Sequence, residues 1–128
     1  MQFEILERKL ATCGAKVGRL KRTLYRKIAE QLPENLEILA AGEGLTQHNG
    51  SYAPVIVGAE TVYIAHAAGR GGGAELFAVP RDSIVAVELS GRFLRKLEIV
   101  TGEERFVVGA LNPRSAAGIA AELERAHS

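Results

Sequence analysis

A chain of 128 residues, 47% apolar and 24% charged, can bury one core and is too apolar for a disordered segment. No apolar run reaches the roughly 18 residues that a membrane-spanning helix needs. The formal charge of +1 hides an asymmetry: residues 1–32 hold eight basic and three acidic residues, the remainder eight and twelve.

Residues 1–32 therefore read as a basic helical arm, and residues 33–128 as a mildly acidic body. The opening Met1-Gln2-Phe3-Glu4 lacks the basic-then-apolar pattern of a secretory leader, and Cys13 is the single cysteine. Both lead us to expect a cytoplasmic, reduced protein.

Residues 2–31 contain no proline and place Phe3, Leu6, Leu10, Cys13, Val17, Leu20 and Leu24 at alternating steps of three and four. That spacing puts all seven on one stripe of a long amphipathic helix, which Ile28 extends. Gly14 and Gly18 weaken its middle, so a bend or two helices meeting near Gly14 is an alternative. Three roles compete for the stripe. It covers the sheet behind it, or it binds a protein partner or a second copy in a short coiled coil. In the third, the basic face lies on an anionic membrane or nucleic acid.

From Asn35 the apolar period drops to two. Leu36, Ile38 and Ala40 alternate with Glu37 and Leu39 as a first strand ending near Gly42, with Leu45-Thr46-Gln47-His48 extending it. Asn49-Gly50 is the strongest short hairpin signal in the chain. Ala53 to Val57 makes a second strand, with Pro54 near its start. Gly58-Ala59-Glu60 turns it into a third, Thr61 to Ala65, rich in β-formers. The run Gly69-Arg70-Gly71-Gly72-Gly73 lacks the lysine and the following helix that a phosphate cradle requires, so it reads as a hairpin loop.

Four further strands follow around Leu76–Val79, Val85–Leu89, Leu97–Ile99 and Phe106–Val108, separated by turn residues in the manner of an antiparallel meander. Asn112 then offers an N-cap and Pro113 a first helical residue. Ala116, Ile119, Ala120 and Leu123 form the stripe of a C-terminal helix. The fold class is α+β, mainly β.

Seven strands in meander order closed by one amphipathic helix resemble the pleckstrin-homology-like (PH-like) barrel. Three stretches are similar to bacterial PH-like domains. Leu32-Pro33-Glu34-Asn35-Leu36-Glu37-Ile38-Leu39 looks like their step into strand one. Phe77-Ala78-Val79-Pro80-Arg81-Asp82-Ser83-Ile84-Val85-Ala86-Val87 looks like the step into strand five. Leu97 to Gly102 with Phe106-Val107-Val108 looks like the last hairpin. The resemblance covers about residues 32–127. It implies a seven-stranded antiparallel barrel capped by the C-terminal helix, used as a scaffold for protein or peptide contact. The inositol-phosphate site of eukaryotic relatives does not carry over, because the loop from Gly44 to Pro54 has no lysine or arginine, only His48.

Catalytic chemistry needs titratable groups within reach of one another. His48, His66 and His127 fall in three separate elements without metal-ligand spacing. Cys13, on the apolar stripe, reads as an inert buried thiol. Glu103 and Glu104 are adjacent in a hairpin and so point opposite ways, while His66 reads as a hydrogen-bonded structural histidine. A small enzyme would need a polar pocket around His66. We expect instead a non-enzyme with no cofactor and no metal, a protein-interaction or adaptor module. Phe3, Leu6, Leu10, Val17, Leu20 and Leu24 would bind a protein partner or a second copy, and the edge of strand five would accept a peptide strand. The alternative is a peripheral binder of anionic membrane or nucleic acid through Arg19, Arg22, Arg26 and Lys27.

Overall fold

The computed structural model describes residues 1–47, 50–68 and 73–125. His48, Asn49, His127 and residues 69–72 of the glycine run lie outside the described residues. Seven strands form one sheet: β1 (Ala40–Thr46), β2 (Tyr52–Val57), β3 (Thr61–Ala68), β4 (Gly73–Pro80), β5 (Ile84–Ser90), β6 (Arg95–Thr101) and β7 (Arg105–Leu111). All neighbours are antiparallel, in the order β4-β3-β2-β1-β7-β6-β5. The pairing between non-consecutive strands is β1 with β7, where Leu45 faces Gly109 and Thr46 faces Val108; it joins the two meanders. The sheet is not closed. The chain leaves β4 through Pro80 and one 3₁₀ turn, Arg81–Ser83, and resumes as β5 on the far edge of the strand order.

The sheet buries both faces of its first half. On the inner face, Val55, Val57, Leu97, Ile99 and Leu111 pack with Ile119 and Leu123 of the C-terminal helix. On the outer face, Ala41, Ile56, Tyr63 and Ala65 pack under two N-terminal helices. Two-sided burial explains why Val55-Ile56-Val57 is an unbroken apolar run rather than an alternating one.

The N-terminal stripe is folded into two helices, α1 (Phe3–Thr12) and α2 (Arg22–Gln31), in place of a single long one. Gly14 has φ +80, its N–H bonds Ala11 O, and the Ala15 N–H bonds Leu10 O. These are the two reversed bonds of a glycine-terminated helix end, and they stop α1. A 3₁₀ turn at Arg19–Lys21 then feeds α2. The C-terminal helix α3 (Pro113–Arg125) starts as its residues dictate, with Asn112 Oδ1 accepting from the Arg114 N–H at 2.8 Å.

The first strand begins at Ala40 rather than Leu36, and it runs through both glycines. A Cβ on Gly42 would lie 2.9 Å from Ser115 Cβ, and one on Gly44 would lie 2.3 Å from Gly109 O. At these positions α3 and β7 press on bare backbone, so the inner face of β1 carries no large side chains to alternate. Leu36 and Ile38 precede the strand and pack against the outer cluster instead.

Candidate functional site

The six residues of the predicted partner stripe are divided by the fold. Phe3, Leu6, Leu10 and Val17 are buried within the chain's own outer cluster, and Leu24 packs partly against it. Leu20, in the 3₁₀ turn, is 97% exposed. The break at Gly14 rotates this one position out of register with the others.

The predicted cations divide similarly. The Arg22 and Arg26 guanidinium groups lie 4.6 and 4.7 Å from the centre of the Phe3 ring, and Arg22 also reaches Glu7 Oε2 at 3.2 Å. Such stacking holds them against the protein. Arg19 and Lys27 are exposed, and so is Arg26 despite its stacking on Phe3. Beneath this region Glu43, on the outer face of β1, accepts from the Lys21 ammonium and from Tyr25 Oη at 2.6 Å. Burial, then the bond to Glu43 and its negative charge, push the Tyr25 phenol well above the ordinary tyrosine range. The Lys21 ammonium also lies 4.1 Å from the centre of the Tyr52 ring.

His66 stands opposite Glu75 in the β3–β4 register, with Nε2 3.0 Å from Glu75 Oε2 and Nδ1 3.2 Å from Ala67 O. Oxygen atoms thus lie within hydrogen-bonding distance of both ring nitrogens. Its ring stacks on Phe77 at 5.5 Å, and Phe77 meets Phe106 at 5.8 Å. Cys13 is half-buried with its thiol 3.3 Å from Ile38 O, and burial pushes that thiol up, away from nucleophilic character. Among the described residues no three His, Cys, Asp or Glu side chains converge as metal ligands would. No described helix is long and apolar enough to cross a membrane.

A cleft of about 460 Å³ opens between the end of β4 and the β6–β7 hairpin, bordered by Val79, Pro80, Ser83, Thr101 and Phe106. Glu103 and Glu104 both border it, because they sit in the turn, where strand alternation does not apply. Arg81, only 8% exposed, lies in the 3₁₀ turn between β4 and β5. It donates to Gly58 O at 2.9 Å and to Glu122 O at 2.7 Å, tying the last turn of α3 to the β2–β3 turn.

No protein-family model matches the chain, and no curated protein matches it. The crystal structure of a pleckstrin homology domain from Shewanella amazonensis SB2B does, over 86% of this chain and 96% of that one, with a TM-score of 0.54. This chain has a pleckstrin-homology-like fold. The two sequences are 19% identical, so the likeness speaks for the PH-like frame and leaves the site to be argued from this chain's own surface.

Two of the exposed features among the described residues lie at the β5 end of the sheet. One is β5, an end strand of the sheet. The other was not singled out in the sequence: the β5–β6 tip, where Phe93 and Leu94 are exposed. Their signal was available, since Arg92-Phe93-Leu94-Arg95-Lys96 puts two large apolar residues side by side in a segment of turn, where no alternation hides either.

Proposed function

We propose that this chain is a non-catalytic interaction module that takes an extended segment of a protein partner along its fifth strand. The observation that supports this reading is the position of β5. It ends the strand order, its outer edge is unpaired among the described residues, and Val85 on it is 68% exposed. An edge strand offers a row of N–H and C=O groups to an incoming chain. Ile84, Val87 and Leu89 anchor the strand to the inner core, so its edge is held still for pairing. The N-terminal region supplies a second contact to a partner or another copy through Leu20, the member of its stripe left in solvent.

Selection of peptides from a displayed library on the full chain tests this. Enriched peptides should perturb backbone amide resonances of Ile84–Ser90 first. Perturbation centred on α1, α2 or the β4 cleft, or no enrichment at all, would contradict it.

A second reading has one observation in its favour: the exposed Leu20 directly follows exposed Arg19, with exposed Lys16 close in sequence. An aliphatic residue among cations suits an anionic bilayer surface. Binding to anionic vesicles should then fall with salt and fall again in the Arg19→Glu/Lys27→Glu variant. RNA in place of vesicles separates a lipid surface from a nucleic-acid backbone.

A further inference from the structure

The turn between β5 and β6 carries Phe93 and Leu94 side by side, 83% and 64% exposed. Adjacent large apolar side chains left in water at a protruding tip mark an interaction site far better than scattered ones do. The charge around them is one-sided. Arg92 precedes the pair, Arg95 and Lys96 follow it, and no acidic residue occurs between Glu88 and Glu98. This is a departure from its surroundings, because acidic residues outnumber basic ones twelve to eight beyond residue 32.

The tip is held in shape. Gly91 has φ +93, and a Cβ there would meet Leu94 O at 2.5 Å, so the turn closes on a residue that only glycine fits. Arg95 Nε donates to Ser90 O at 3.3 Å across the base of the turn. Lys96 is partly engaged by Glu98 at 3.2 Å, which leaves Arg92 and Arg95 as the cations nearest the apolar pair. The fixed turn lowers the entropy lost when the tip docks.

We infer that the β5–β6 tip is a membrane-docking finger: Phe93 and Leu94 enter the interfacial layer of an anionic bilayer while Arg92 and Arg95 meet its phosphate headgroups. Cations on both sides of the apolar pair match a flat anionic surface, where each flank finds the same charge. The assignment goes beyond strand addition on β5 and is separate from the N-terminal cations. A tip seated in lipid would leave the β5 edge free for a protein partner.

The test uses the full chain with phosphatidylcholine vesicles, with and without one third phosphatidylglycerol. The chain has no tryptophan, so Phe93→Trp reports on one position. Its emission should shift to the blue on the anionic vesicles only. Phe93→Ala/Leu94→Ala should weaken partitioning by at least about tenfold, from the apolar area no longer removed from water. Arg92→Glu should weaken it by about fivefold and reduce its salt dependence. All three side chains face solvent, so the urea midpoints of these variants should match the wild type, which separates lost docking from lost fold. The inference is overturned if the wild type ignores both vesicle types, if the double alanine variant binds as the wild type does, or if the indole emission stays unshifted on bound protein. Loss of binding in Arg19→Glu/Lys27→Glu with an unshifted indole would assign the surface to the N-terminal region instead.

Discussion

Leu6 and Leu20 belong to the same stripe in the sequence and to opposite environments in the fold: the first is fully buried, the second stands in solvent. Leu6→Ala is therefore expected to cost about 2–5 kcal/mol by leaving a cavity between α1 and the sheet. Leu20→Ser should stay within about 0.5 kcal/mol of the wild type. Urea denaturation of the two variants checks both values. Tyr25 makes a different kind of contribution. Its phenol is raised in the folded state by burial and by Glu43, so the unfolded chain ionises first on the alkaline side. The stability linked to that proton is intact below about pH 10, where an ordinary tyrosine titrates, and is lost as pH climbs toward the higher folded value. Tyr25→Phe should lose about 1–2 kcal/mol near neutral pH, because Glu43 loses a donor. It should also show a shallower fall in urea midpoint above about pH 10 than the wild type.

Among the elements, β7 holds a defect that can be tested directly. Ala110 has φ 54, at the place where the β6–β7 register slips between Arg95 opposite Leu111 and Leu97 opposite Val108. An alanine in the left-handed region costs about 1–2 kcal/mol. Ala110→Gly should thus raise the urea midpoint by the equivalent of about 0.5–1 kcal/mol after its own entropic cost; a lowered midpoint would mean that the methyl packs usefully in the bulge. The seven strands and α3 were legible because turn residues separate short apolar runs and because Asn112-Pro113 marks a helix start. The start of β1 was not. Its inner positions are Ala40, Gly42 and Gly44, and what fills that space is Ser115, Ile119 and Leu111 from the far end of the sequence. The division of the N-terminal stripe was half legible: Gly14 signalled a break, but the rotation that exposes Leu20 depends on the extended residues after it. The edge of β5 could be anticipated from a likeness of fold. The β5–β6 tip could not, because exposure of a turn is decided by what else packs there.

Taken as one molecule, the chain is a sheet whose two faces are covered from opposite ends of the sequence, α1 and α2 outside and α3 inside. The inner core needs both meanders, and their link is the short β1–β7 ladder. A chain stopped after Gly102 lacks that ladder and α3. It should show neither dispersed amide resonances nor a cooperative urea transition, whereas a native-like spectrum would mean that β1–β4 with α1 and α2 suffices. The ladder also bears on synthesis. β1 emerges from the ribosome more than sixty residues before the strand it must pair with, so until Arg105–Leu111 clears the exit tunnel its free side is open to other nascent chains. During that interval α1 and α2, already released, can settle on the outer face of β1–β4. A basic front segment made first would then serve as a built-in chaperone for the half-finished sheet.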